Sequence, residues 1–493
     1  MLKKRTKIIA TLGPSSDNPE MLDAMIREGL DLVRLNFSHG AFEEHQQRAE
    51  RVRELARKNG RQVGVIVDLQ GPKIRIGRFL AKKIMLNEGD PFTIDPKWPL
   101  KEGTQSCVGT TYTALPVDMK VGDTLLLDDG RIVVEVENIE DTQVHCKVIV
   151  GGELSDNKGI NRQGGGLSAD ALTEKDKEDI ISAAKLNADY LAVSFPRSPE
   201  DIHNARQLLY AAGGKGGIIA KIERAEAMDV LDGIIQASDA VMIARGDLGV
   251  EIGDEALPPA QKSIIKKART LKRAVITATQ MMESMIHNQI PTRAEVFDVA
   301  NAVLDGTDAV MLSGETAVGR YPDKVVGAMS RICFGAEQQR IARTSGHRMN
   351  ADFVHIDEAV AMATMYAANH LHVKAIASLT ESGSTPLWMS RMSSGIPIYA
   401  LSRNVETRRK VTLYRGVYPI SFDVLAKDDS MTTNYRIIDE LKRLGAVQDG
   451  DLIIITKGDI PGLGGGTNVM KIVQVGVKPV EEKRLEVPNT DEP

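Results

Sequence analysis

The stretch "IIAKIER" at residues 218–224 sets two opposite charges, Lys221 and Glu223, into a short apolar run. Side chains two residues apart on a β-strand point to the same face, so these two charges share one side of the strand. Opposite charges in a buried strand are costly unless they pair with each other or bind a ligand. These seven residues are compatible with two interpretations, a structural ion pair and a ligand site.

Eight short β-branched runs alternate along the chain with longer segments of helical periodicity. Helix starts are marked by Ser198 before Pro199 and by Thr292 with Glu295. Eight strands, each followed by a helix, predict an α/β fold with a parallel (β/α)8 TIM barrel. The predicted barrel strands are "TKIIATLG", "DLVRLNF", "VGVIVDLQ", "DYLAVSF", "GIIAKIE", "DAVMIARGD", "AVITATQ" and "DAVMLSGE".

The alternation fails once, between the third and fourth barrel strands. There the helical pattern gives way to alternating strands joined by Gly-Asp and Asp-Gly turns, as in "VGDTLLLDDGRIVVEVENIEDTQVHCKVIV" at 121–150. We predict an inserted all-β lid domain, a β-barrel, over the mouth of the TIM barrel. After about residue 345, the runs "VKAIASLT", "IPIYALS", "VYPISFD" and "LIIITKG" predict a C-terminal α/β regulatory domain of about five strands.

The predicted domain organisation follows from these changes in pattern. We expect the barrel domain at 1–72 and 168–345, with the β-barrel lid domain at 73–167 between its two parts. The C-terminal α/β regulatory domain is expected at 346–480. The polar residues 481–493 are expected to form a tail.

Composition excludes several classes of protein. With 62 Lys and Arg against 67 Asp and Glu, the net charge is -5, and no basic surface calls for nucleic acid. No stretch approaches the roughly 18 apolar residues of a membrane span. Cys107, Cys146 and Cys333 are far apart and fit neither a metal motif nor a disulfide framework. We therefore expect a cytoplasmic protein without a membrane or nucleic-acid partner.

Nearly every predicted barrel strand carries a polar or charged side chain at its carboxyl end. Because such strand ends meet at one mouth of a barrel, these side chains predict a functional site there. The ring consists of Arg34, Asn36, Ser38, Asp68, Lys221, Glu223, Arg245, Asp247, Thr277, Thr279, Ser313 and Glu315.

The composition of this ring indicates phosphoryl chemistry. Glu223 and Asp247 on adjacent strands can hold one hard divalent cation, with substrate oxygens and water as its other ligands. Lys221 and Arg34 add positive charge beside it. Gly246 and Asp247 come where the chain turns out of a strand, so their backbone N–H groups can bind an anion. A metal, two cations and N–H donors around one point describe a phosphoryl-transfer site.

Several long motifs resemble those of the pyruvate kinase family, and the resemblance extends from residue 5 to about 480. The motifs are "RLNFSHG", "VDLQGPKIR", "AKIE", "ARGDLGVE", "ATQMMESM", "PTRAEVFDVANAVLDG" and "MLSGETAVGRYP". The resemblance implies transfer of the phosphoryl group of phosphoenolpyruvate to ADP, which yields pyruvate and ATP in the last step of glycolysis. It also implies a homotetramer.

The resemblance assigns roles to the ring. Glu223 and Asp247 match the ligands of Mg2+ (or Mn2+), and Lys221 matches the residue that stabilises the transferring phosphoryl group and the enolate. Arg34 is similar to the arginine that holds the substrate phosphate. Gly246, Asp247 and Thr279 resemble the carboxylate site, with Thr279 near the point of enolate protonation. The positions that match nucleotide-phosphate contacts, or lie near them, are Asn36, His39, Arg75 and Lys158.

The sequence departs from the pattern at the monovalent-cation position. Many relatives bind K+ through oxygens at the positions of Asn36, Ser38, Asp68 and the carbonyl of Leu69, and they carry "DTKGPEIR". This chain reads "DLQGPKIR" at 68–75, so Lys73 places an ammonium where those relatives have a carboxylate. A tethered cation can substitute for K+, and K+ is therefore expected not to be required. The alternative is a solvated loop lysine.

A loop in the C-terminal domain predicts an effector site. Hydroxyl groups and backbone N–H groups at a helix start can cradle a phosphate or simply cap the helix. In allosteric members of the family, the matching loop takes the phosphate of a sugar. Glu381 would repel a second phosphate, so we expect a sugar monophosphate or AMP rather than fructose 1,6-bisphosphate. The loop residues are Thr380, Ser382, Gly383, Ser384 and Thr385.

Two other functions are compatible with parts of the pattern. A metal-dependent aldolase or lyase acting on a pyruvate enolate would use the same carboxylate pair, but it needs neither the lid nor Lys221. A non-catalytic scaffold would be expected to have lost at least one of Lys221, Glu223 or Asp247, and all three are present.

Overall fold

The structure, a computed structural model, describes residues 4–343, 353–425, 429–459 and 465–477. The predicted tail at 481–493 lies outside these residues. The chain begins with strands that alternate with helices, as predicted. These elements are Lys7–Thr11 (β1), the 3-10 helix Pro14–Ser16, Pro19–Glu28 (α1), Leu32–Asn36 (β2), Phe42–Lys58 (α2) and Gly64–Asp68 (β3).

Local chemistry explains where the first long helix begins and ends. The Asn18 side chain accepts a hydrogen bond from the Glu20 N–H at 2.8 Å and caps the start of α1. Gly29, at φ +118°, ends the helix in a conformation that glycine adopts without steric strain. Between these ends, Leu22, Met25 and Ile26 share the buried face. The same logic, an apolar stripe between a cap and a stop, applies to the other barrel helices.

The lid domain follows β3 and is built almost entirely of antiparallel strands. Its elements are Lys83–Leu86 (β4), Pro91–Ile94 (β5), Cys107–Val108 (β6), the single-turn helix Leu115–Asp118 (α3), Thr124–Leu127 (β7), Ile132–Glu140 (β8), Gln143–Val150 (β9), Gly152–Ser155 (β10) and Ile160–Arg162 (β11).

The lid differs from the predicted all-β barrel in two respects. Among the described residues, backbone pairing joins its strands into a six-stranded sheet, β11-β7-β8-β9-β5-β6, and a two-stranded sheet, β10-β4, rather than one closed barrel. The edge strands β6 and β11 are only two and three residues long, too short to pair further. The helix α3 interrupts the β pattern because Pro116 favours the first turn of a helix. The lid boundaries at 73 and 167 stay predictions.

The second half of the barrel resumes the strand–helix alternation. Its elements are Glu174–Lys185 (α4), Tyr190–Val193 (β12), Pro199–Ala211 (α5), Gly217–Ile222 (β13), Glu226–Asp229 (α6), Leu231–Ala237 (α7), Ala240–Ala244 (β14), Arg245–Ile252 (α8), Leu257–Thr270 (α9), Ala274–Ala278 (β15), the 3-10 helix Glu283–Ile286, Arg293–Asp305 (α10), Ala309–Leu312 (β16), Gly314–Ala317 (α11), Pro322–Ala336 (α12) and the 3-10 helix Arg340–Ala342.

The eight parallel strands close into the barrel that the sequence predicts. Their order is β1-β16-β15-β14-β13-β12-β3-β2, with β2 returning to β1. All eight carboxyl ends therefore lie at one mouth. One predicted strand is too long: "DAVMIARGD" ends as a strand at Ala244, and Arg245, Gly246 and Asp247 form the first turn of α8. The positive end of the helix dipole favours an acidic side chain such as Asp247 in that turn.

The C-terminal domain is an α/β sheet of five strands, as predicted. The order is β19-β18-β17-β20-β21, parallel except for the edge strand β21. Its elements are Ile356–Leu371 (α13), Ala375–Leu379 (β17), Ser384–Ser390 (α14), Ile398–Ser402 (β18), Val405–Lys410 (α15), the 3-10 helix Val411–Leu413, Val417–Ser421 (β19), Ser430–Arg443 (α16), Leu452–Lys457 (β20) and Val469–Gln474 (β21).

The C-terminal domain packs under the amino ends of the barrel strands. Tyr190 at the start of β12 is buried and donates its hydroxyl to the Lys410 carbonyl at 2.8 Å. Arg391 and Asp308 are both buried at this junction, with an Arg391 amino group 2.9 Å from one Asp308 oxygen. Such a pair is costly to break once desolvated, so it holds the two domains in one register.

The structure also bears on the cysteines and on possible membrane-spanning helices. Cys107, Cys146 and Cys333 are buried free thiols. Burial raises the pKa of Cys107 to about 11 and the pKa of Cys333 to about 12, so these thiols are poor nucleophiles. In the described part of the chain, every helix is too short or too polar to cross a bilayer.

Candidate active site

The barrel mouth brings two cations onto one buried carboxylate. Asp68, at the end of β3, is fully buried and accepts from Arg34 Nε at 2.6 Å. The Lys221 ammonium lies 3.4 Å from the other Asp68 oxygen. Burial alone would raise the pKa of Asp68, but the charges of Lys221 and Arg34 outweigh it and hold that pKa below its ordinary value. Asp68 therefore stays ionised and orients both cations.

Lys221 and Glu223, the two charges of the opening stretch, contact each other. The Lys221 ammonium is 2.9 Å from Glu223 Oε1, and the other Glu223 oxygen accepts from the Phe195 N–H at 2.8 Å. Burial and the nearby Asp247 raise the pKa of Glu223, while Lys221 opposes them. In a pair kept only for stability, the charge of Lys221 would balance that of Glu223. Here Glu223 is also repelled by the carboxylate of Asp247.

Asp247 completes the cluster from the first turn of α8. Its carboxylate accepts a hydrogen bond at 3.1 Å from the ammonium of Lys73. Lys73 follows the third barrel strand. We call Arg34, Asp68, Lys221, Glu223 and Asp247 the mouth cluster. Together with Lys73, it contains three cations and three carboxylates, all half-buried or buried.

The donor set fits a divalent cation. Glu223 and Asp247 repel each other strongly enough to affect the pKa of Glu223, and each has an ammonium against one oxygen. A hard cation between the two carboxylates would remove that repulsion. Among the described residues, no group of three or more His, Cys, Asp or Glu side chains forms a closed metal cage. An open site with two protein carboxylates is the kind that shares its metal with a phosphorylated substrate.

Thr279 has a strained backbone beside this cluster. Its φ is +64° and that of Gln280 is +52°, a region that costs non-glycine residues about 1–3 kcal/mol. The Arg245 side chain holds the turn by donating to the Thr279 carbonyl at 2.7 Å, and Asp298 fixes Arg245 at 2.7 Å. Backbone strain that the surroundings enforce is typical of functional sites.

The Gly246 amide, expected to be open for an anion, is engaged. It donates to Thr279 Oγ1 at 2.9 Å, and that hydroxyl donates to the Ala278 carbonyl at 2.7 Å. A substrate carboxylate at this point has to replace the threonine as acceptor. The structure thus brings Gly246 and Thr279 together, as the resemblance implied, but in a mutually satisfied state.

Two residues of the mouth were missed in the sequence. Ser194 follows β12, accepts from the Lys221 ammonium at 2.7 Å and donates to the Leu69 carbonyl at 2.7 Å. Thr11 ends β1 and accepts from an Arg34 amino group at 3.1 Å. Both stand at strand ends, so the rule that found the ring would have found them if applied to every strand.

Three of the four residues proposed for the monovalent cation, Asn36, Asp68 and Leu69, already have their oxygens hydrogen-bonded within the protein. Asn36 accepts from the Ser38 N–H at 3.2 Å, and Leu69 accepts from Ser194. The Asp68 carboxylate forms ion pairs with Arg34 and Lys221. The Lys73 ammonium is partly exposed and contacts a carboxylate oxygen of Asp247. The structure therefore places this charge beside Asp247.

The residues predicted to contact the nucleotide phosphates do not form one cluster in the structure. Arg75 pairs with Gly159 as an isolated β-bridge, which places Arg75 and Lys158 on neighbouring backbone segments at the two lid hinges. Arg75 donates to the Asn157 carbonyl at 2.9 Å, and Lys158 pairs with Asp128 of the lid at 2.8 Å. His39 is exposed just before α2. Arg75 and Lys158 therefore lie on lid segments, whereas His39 stands on the barrel between β2 and α2.

Comparison with known proteins identifies the family. The family model described as "Pyruvate kinase, barrel domain" matches residues 3–326, and "Pyruvate kinase, alpha/beta domain" matches residues 358–473. The chain belongs to the pyruvate kinase family. "Pyruvate kinase II" of Salmonella typhimurium is 53% identical over 476 residues, 96% of this chain and 99% of that relative. "Pyruvate kinase" of Haemophilus influenzae is 54% identical over 459 residues, 92% of this chain and 96% of that relative.

A solved structure agrees. A crystal structure of a pyruvate kinase from Cryptosporidium parvum has a TM-score of 0.89 at 35% identity and covers 96% of both chains. The predicted barrel with a C-terminal α/β domain is confirmed. The predicted activity, a phosphotransferase acting on phosphoenolpyruvate and ADP, is confirmed as well, and the aldolase or lyase alternative finds no support. Pyruvate kinases as a family use a divalent metal.

The predicted effector loop begins a short helix in the C-terminal domain of this pyruvate kinase fold. The helix starts at Ser384. Thr380 Oγ1 accepts from the Gly383 N–H at 2.9 Å, and Thr385 bonds Thr467 at 2.8 Å, so both hydroxyls have partners. The Ser384 hydroxyl lies 3.5 Å from a carboxylate oxygen of Asp357.

Glu381 of this loop is less free than the sequence suggests. Its carboxylate accepts from the Asn404 amide at 2.7 Å and lies 3.6 Å from Arg403. Because Arg403 offsets part of its charge, Glu381 repels a second phosphate less strongly than the unpaired carboxylate expected from the sequence.

A buried glutamate joins the lid to the barrel. Glu251 in α8 accepts from the Ala225 N–H at 2.8 Å and from Asn161 of the lid strand β11 at 3.3 Å. Burial raises the pKa of Glu251 from 4.5 to about 7, with Glu226 adding to the rise and Arg224 opposing it. Because its pKa is higher in the folded state, the folded state holds this proton between pH 4.5 and about 7 while the unfolded state loses it.

We expect this proton to appear in the pH dependence of stability. The Glu251 contribution lowers the free energy of unfolding as pH rises from 4.5 to about 7. Glu251→Gln should flatten that slope and unfold less readily than the parent at about pH 8. Thermal unfolding across this range measures the effect, with exposed Glu255→Gln as the control. Parallel curves for parent and Glu251→Gln would contradict the assignment.

Proposed function

We propose that the mouth cluster is where this chain transfers the phosphoryl group of phosphoenolpyruvate to ADP. The observation that carries the proposal is the balanced charge of the site, with Arg34, Lys73 and Lys221 against Asp68, Glu223 and Asp247. A polyanionic substrate upsets that balance unless a divalent cation enters with it. Catalysis of phosphoryl transfer rests mainly on such positioning and electrostatics.

We propose Glu223 and Asp247 as the protein ligands of Mg2+ or Mn2+. Asp247 is near enough to Glu223 to help raise the pKa of Glu223, and oxygen donors are what both metals prefer. When bound, the metal would neutralise charge on the transferring phosphoryl group. The residue that sets the first carboxylate in place is Phe195, whose N–H donates to Glu223 at 2.8 Å.

Lys221 is proposed to balance the charge that moves during the reaction. Its ammonium is oriented by Ser194 at 2.7 Å, by Glu223 at 2.9 Å and by Asp68 at 3.4 Å before any substrate binds. Burial alone would lower the pKa of Lys221, but Asp68 and Glu223 raise it above its ordinary value, so the group stays protonated. A cation held in advance costs little reorganisation in the transition state. Arg34, held by Asp68, is proposed to bind the substrate phosphate.

Thr279 is proposed to hold the other end of the substrate. With the amides of Gly246 and Asp247, it would bind the substrate carboxylate and lie near the carbon that is protonated. The Gly246 N–H already points to the Thr279 hydroxyl at 2.9 Å, so a donor and a hydroxyl share one point of the mouth. The residues proposed to contact the nucleotide phosphates, or to lie near them, are Arg75 and Lys158 of the lid segments, Asn36 at the end of β2 and His39 after it.

An assay coupled to pyruvate and ATP formation tests the proposed function. We expect pyruvate to appear only when phosphoenolpyruvate, ADP and a divalent cation are all present, with one ATP for each pyruvate. Release of pyruvate from a larger substrate without ATP would instead support the aldolase or lyase reading. A parallel binding measurement with phosphoenolpyruvate separates an inactive preparation from a protein without the site.

We propose that Lys73 replaces K+. Its ammonium contacts Asp247 at 3.1 Å, so a fixed positive charge stands beside the proposed metal. Activity is expected to be the same in K+ and in a bulky organic cation at equal ionic strength. Lys73→Glu, alone or with Leu69→Thr, should create a requirement for K+. The measurement is a K+ titration of initial rates, and a parent that is silent without K+ would overturn the proposal.

We propose that the loop Thr380–Thr385 binds the phosphate of a sugar monophosphate or AMP, and that this effector biases a homotetramer between two states. The hydroxyls of Ser382 and Ser384 lie 3.2 Å apart on the exposed side of the loop. The effector is expected to lower the phosphoenolpyruvate concentration needed for half-maximal rate.

Ser384→Glu should remove that response without changing the maximal rate, because its carboxylate would meet both the phosphate and Asp357. Ser421→Glu, an exposed position two strands away, is the matched control. The measurement is the phosphoenolpyruvate saturation curve with and without glucose 6-phosphate, AMP or fructose 1,6-bisphosphate. A strongest response to the bisphosphate would contradict the ligand class, and an unchanged response in Ser384→Glu would contradict the site.

A further inference from the structure

A cleft of about 460 Å³ lies between the barrel and the C-terminal domain, away from both sites described above. Arg5 lines it just before β1, and Lys374 and Ile396 line it just before β17 and β18. The cleft therefore opens at the amino ends of these strands. The mouth cluster and the loop Thr380–Thr385 lie at the opposite, carboxyl ends.

Positive charge exceeds negative charge among the side chains that line this cleft. Arg5, Arg343 and Lys374 face one carboxylate, that of Glu337. Glu337 is buried and accepts from the Arg5 N–H at 2.8 Å and the Thr6 N–H at 2.6 Å, and its carboxylate pairs with the Arg5 side chain at 3.6 Å. Arg5 and Glu337 thus satisfy each other, which leaves the charges of Arg343 and Lys374 in excess.

The two excess cations are accessible. Arg343 and Lys374 are exposed residues at the rim. Arg343 Nε donates to the Glu337 carbonyl at 3.1 Å, which anchors its guanidinium. Within the residues that the structure describes, Lys374 has no carboxylate partner. A guanidinium anchored at one edge and an ammonium beside it suit an anionic group of a ligand.

The wall of the cleft is aromatic. Phe334 of α12 is half-buried, and the rings of Tyr399 and Tyr418 lie 5.8 Å apart at a tilt of 38°. Tyr418 donates its hydroxyl to the Lys4 carbonyl at 2.8 Å, which fixes its ring. A concave, largely apolar wall with a few charged groups at a domain junction is the usual character of a small-molecule site.

We propose that this cleft binds a small aromatic anion, with its carboxylate or phosphate at Lys374 and Arg343 and its ring against Phe334, Tyr399 and Tyr418. The ligand would contact both domains where Arg5 joins them. The Arg5 guanidinium donates to the Ala342 carbonyl on the barrel side at 2.8 Å and to the Ser394 carbonyl of the C-terminal domain. A ligand that binds only the folded state raises the unfolding temperature.

Calorimetric titration of the full chain tests the site with benzoate, benzamide, phenyl phosphate and inorganic phosphate. Benzoate or phenyl phosphate should bind at least about tenfold more tightly than neutral benzamide, because the excess charge selects an anion. The tighter of the two anions distinguishes a carboxylate from a phosphate ligand. Inorganic phosphate that binds as tightly as phenyl phosphate would show that the aromatic wall contributes nothing and would overturn the proposal.

Variants locate the binding. Lys374→Gln and Arg343→Gln should each weaken it at least about tenfold, as loss of one charge-assisted contact does. Gly395→Leu should block it, because a Cβ at residue 395 meets only Arg343 methylenes, at 3.8 Å, and leaves the added side chain to fill the cleft. Lys471→Gln, on the edge strand β21, is the matched control.

Unchanged affinity in all three cleft variants, or no binding by either aromatic anion, would overturn the proposal. The titrations contain no phosphoenolpyruvate, ADP or metal. Their outcome is therefore independent of the proposed catalytic roles.

Discussion

Lys221→Met is expected to lower phosphoryl transfer by at least about 100-fold, the loss typical of removing one preorganised group from a transition-state site. Methionine keeps the length of the side chain and removes its charge, so nothing replaces the ammonium held between Asp68 and Glu223. Protonation of enolpyruvate should survive in part, because the substitution leaves Gly246 and Thr279 in place at the other end of the site. The two half-reactions are thus expected to separate.

The measurement compares the kinase assay with exchange of solvent protons into pyruvate. Loss of one partner of a buried ion pair can cost about 3–5 kcal/mol of stability, so the variant is assayed well below its unfolding temperature. Lys457→Met is the matched control, a lysine of the C-terminal domain that bonds Ser430 and Asn434 at 2.8 Å. Lys221→Arg should recover part of the transfer rate. Equal loss of transfer and exchange in Lys221→Met would contradict the split role.

Glu223→Gln should raise the Mg2+ concentration needed for half-maximal activity by at least about tenfold, as lost metal contacts do. The amide retains one oxygen but no charge, so the metal loses half of its proposed protein carboxylates. The fold should remain intact. Burial and Asp247 raise the pKa of Glu223 above its ordinary value, so the folded state disfavours its charged form and tolerates a neutral side chain of the same shape.

Glu315→Gln provides a closely matched control for this prediction. Glu315 is also a buried glutamate near the end of a barrel strand, and burial raises its pKa too. Within the described residues, its carboxylate accepts hydrogen bonds from the backbone N–H groups of Met282 at 3.1 Å and Ser313 at 2.6 Å. We expect Glu315→Gln to titrate with Mg2+ like the parent. If Glu223→Gln also titrates like the parent, the metal assignment is wrong.

Much of the site was accessible from sequence because a barrel imposes one simple rule. The carboxyl ends of parallel strands meet, so Arg34, Asp68, Lys221 and Glu223 had to converge once eight strands were recognised. The same rule applies to Ser194, which follows β12 and binds Lys221, and to Thr11, which ends β1 and binds Arg34. A single hydroxyl at a strand end is common and carries no signal alone.

Local sequence patterns also located the lid and the C-terminal sheet, but they misjudged details at element ends. The strand ending at Ala244 was extended into the first turn of α8, where Gly246 and Asp247 stand. An apolar run followed by Arg-Gly-Asp does not mark where strand dihedrals change to helical ones. The Gly246 amide consequently looked open in the sequence, although the folded chain pairs it with Thr279.

The sequence by itself determined the barrel, the inserted lid, the C-terminal sheet and the polar ring at the mouth, because periodicity and strand ends are local properties of the chain. Only the tertiary structure decided which charges touch. Lys73 meets Asp247 across 174 positions, and Glu381 is neutralised in part by Arg403. Such contacts depend on barrel closure and on how the lid and loops fold back. The distance between two side chains on different elements is not written in the spacing of either.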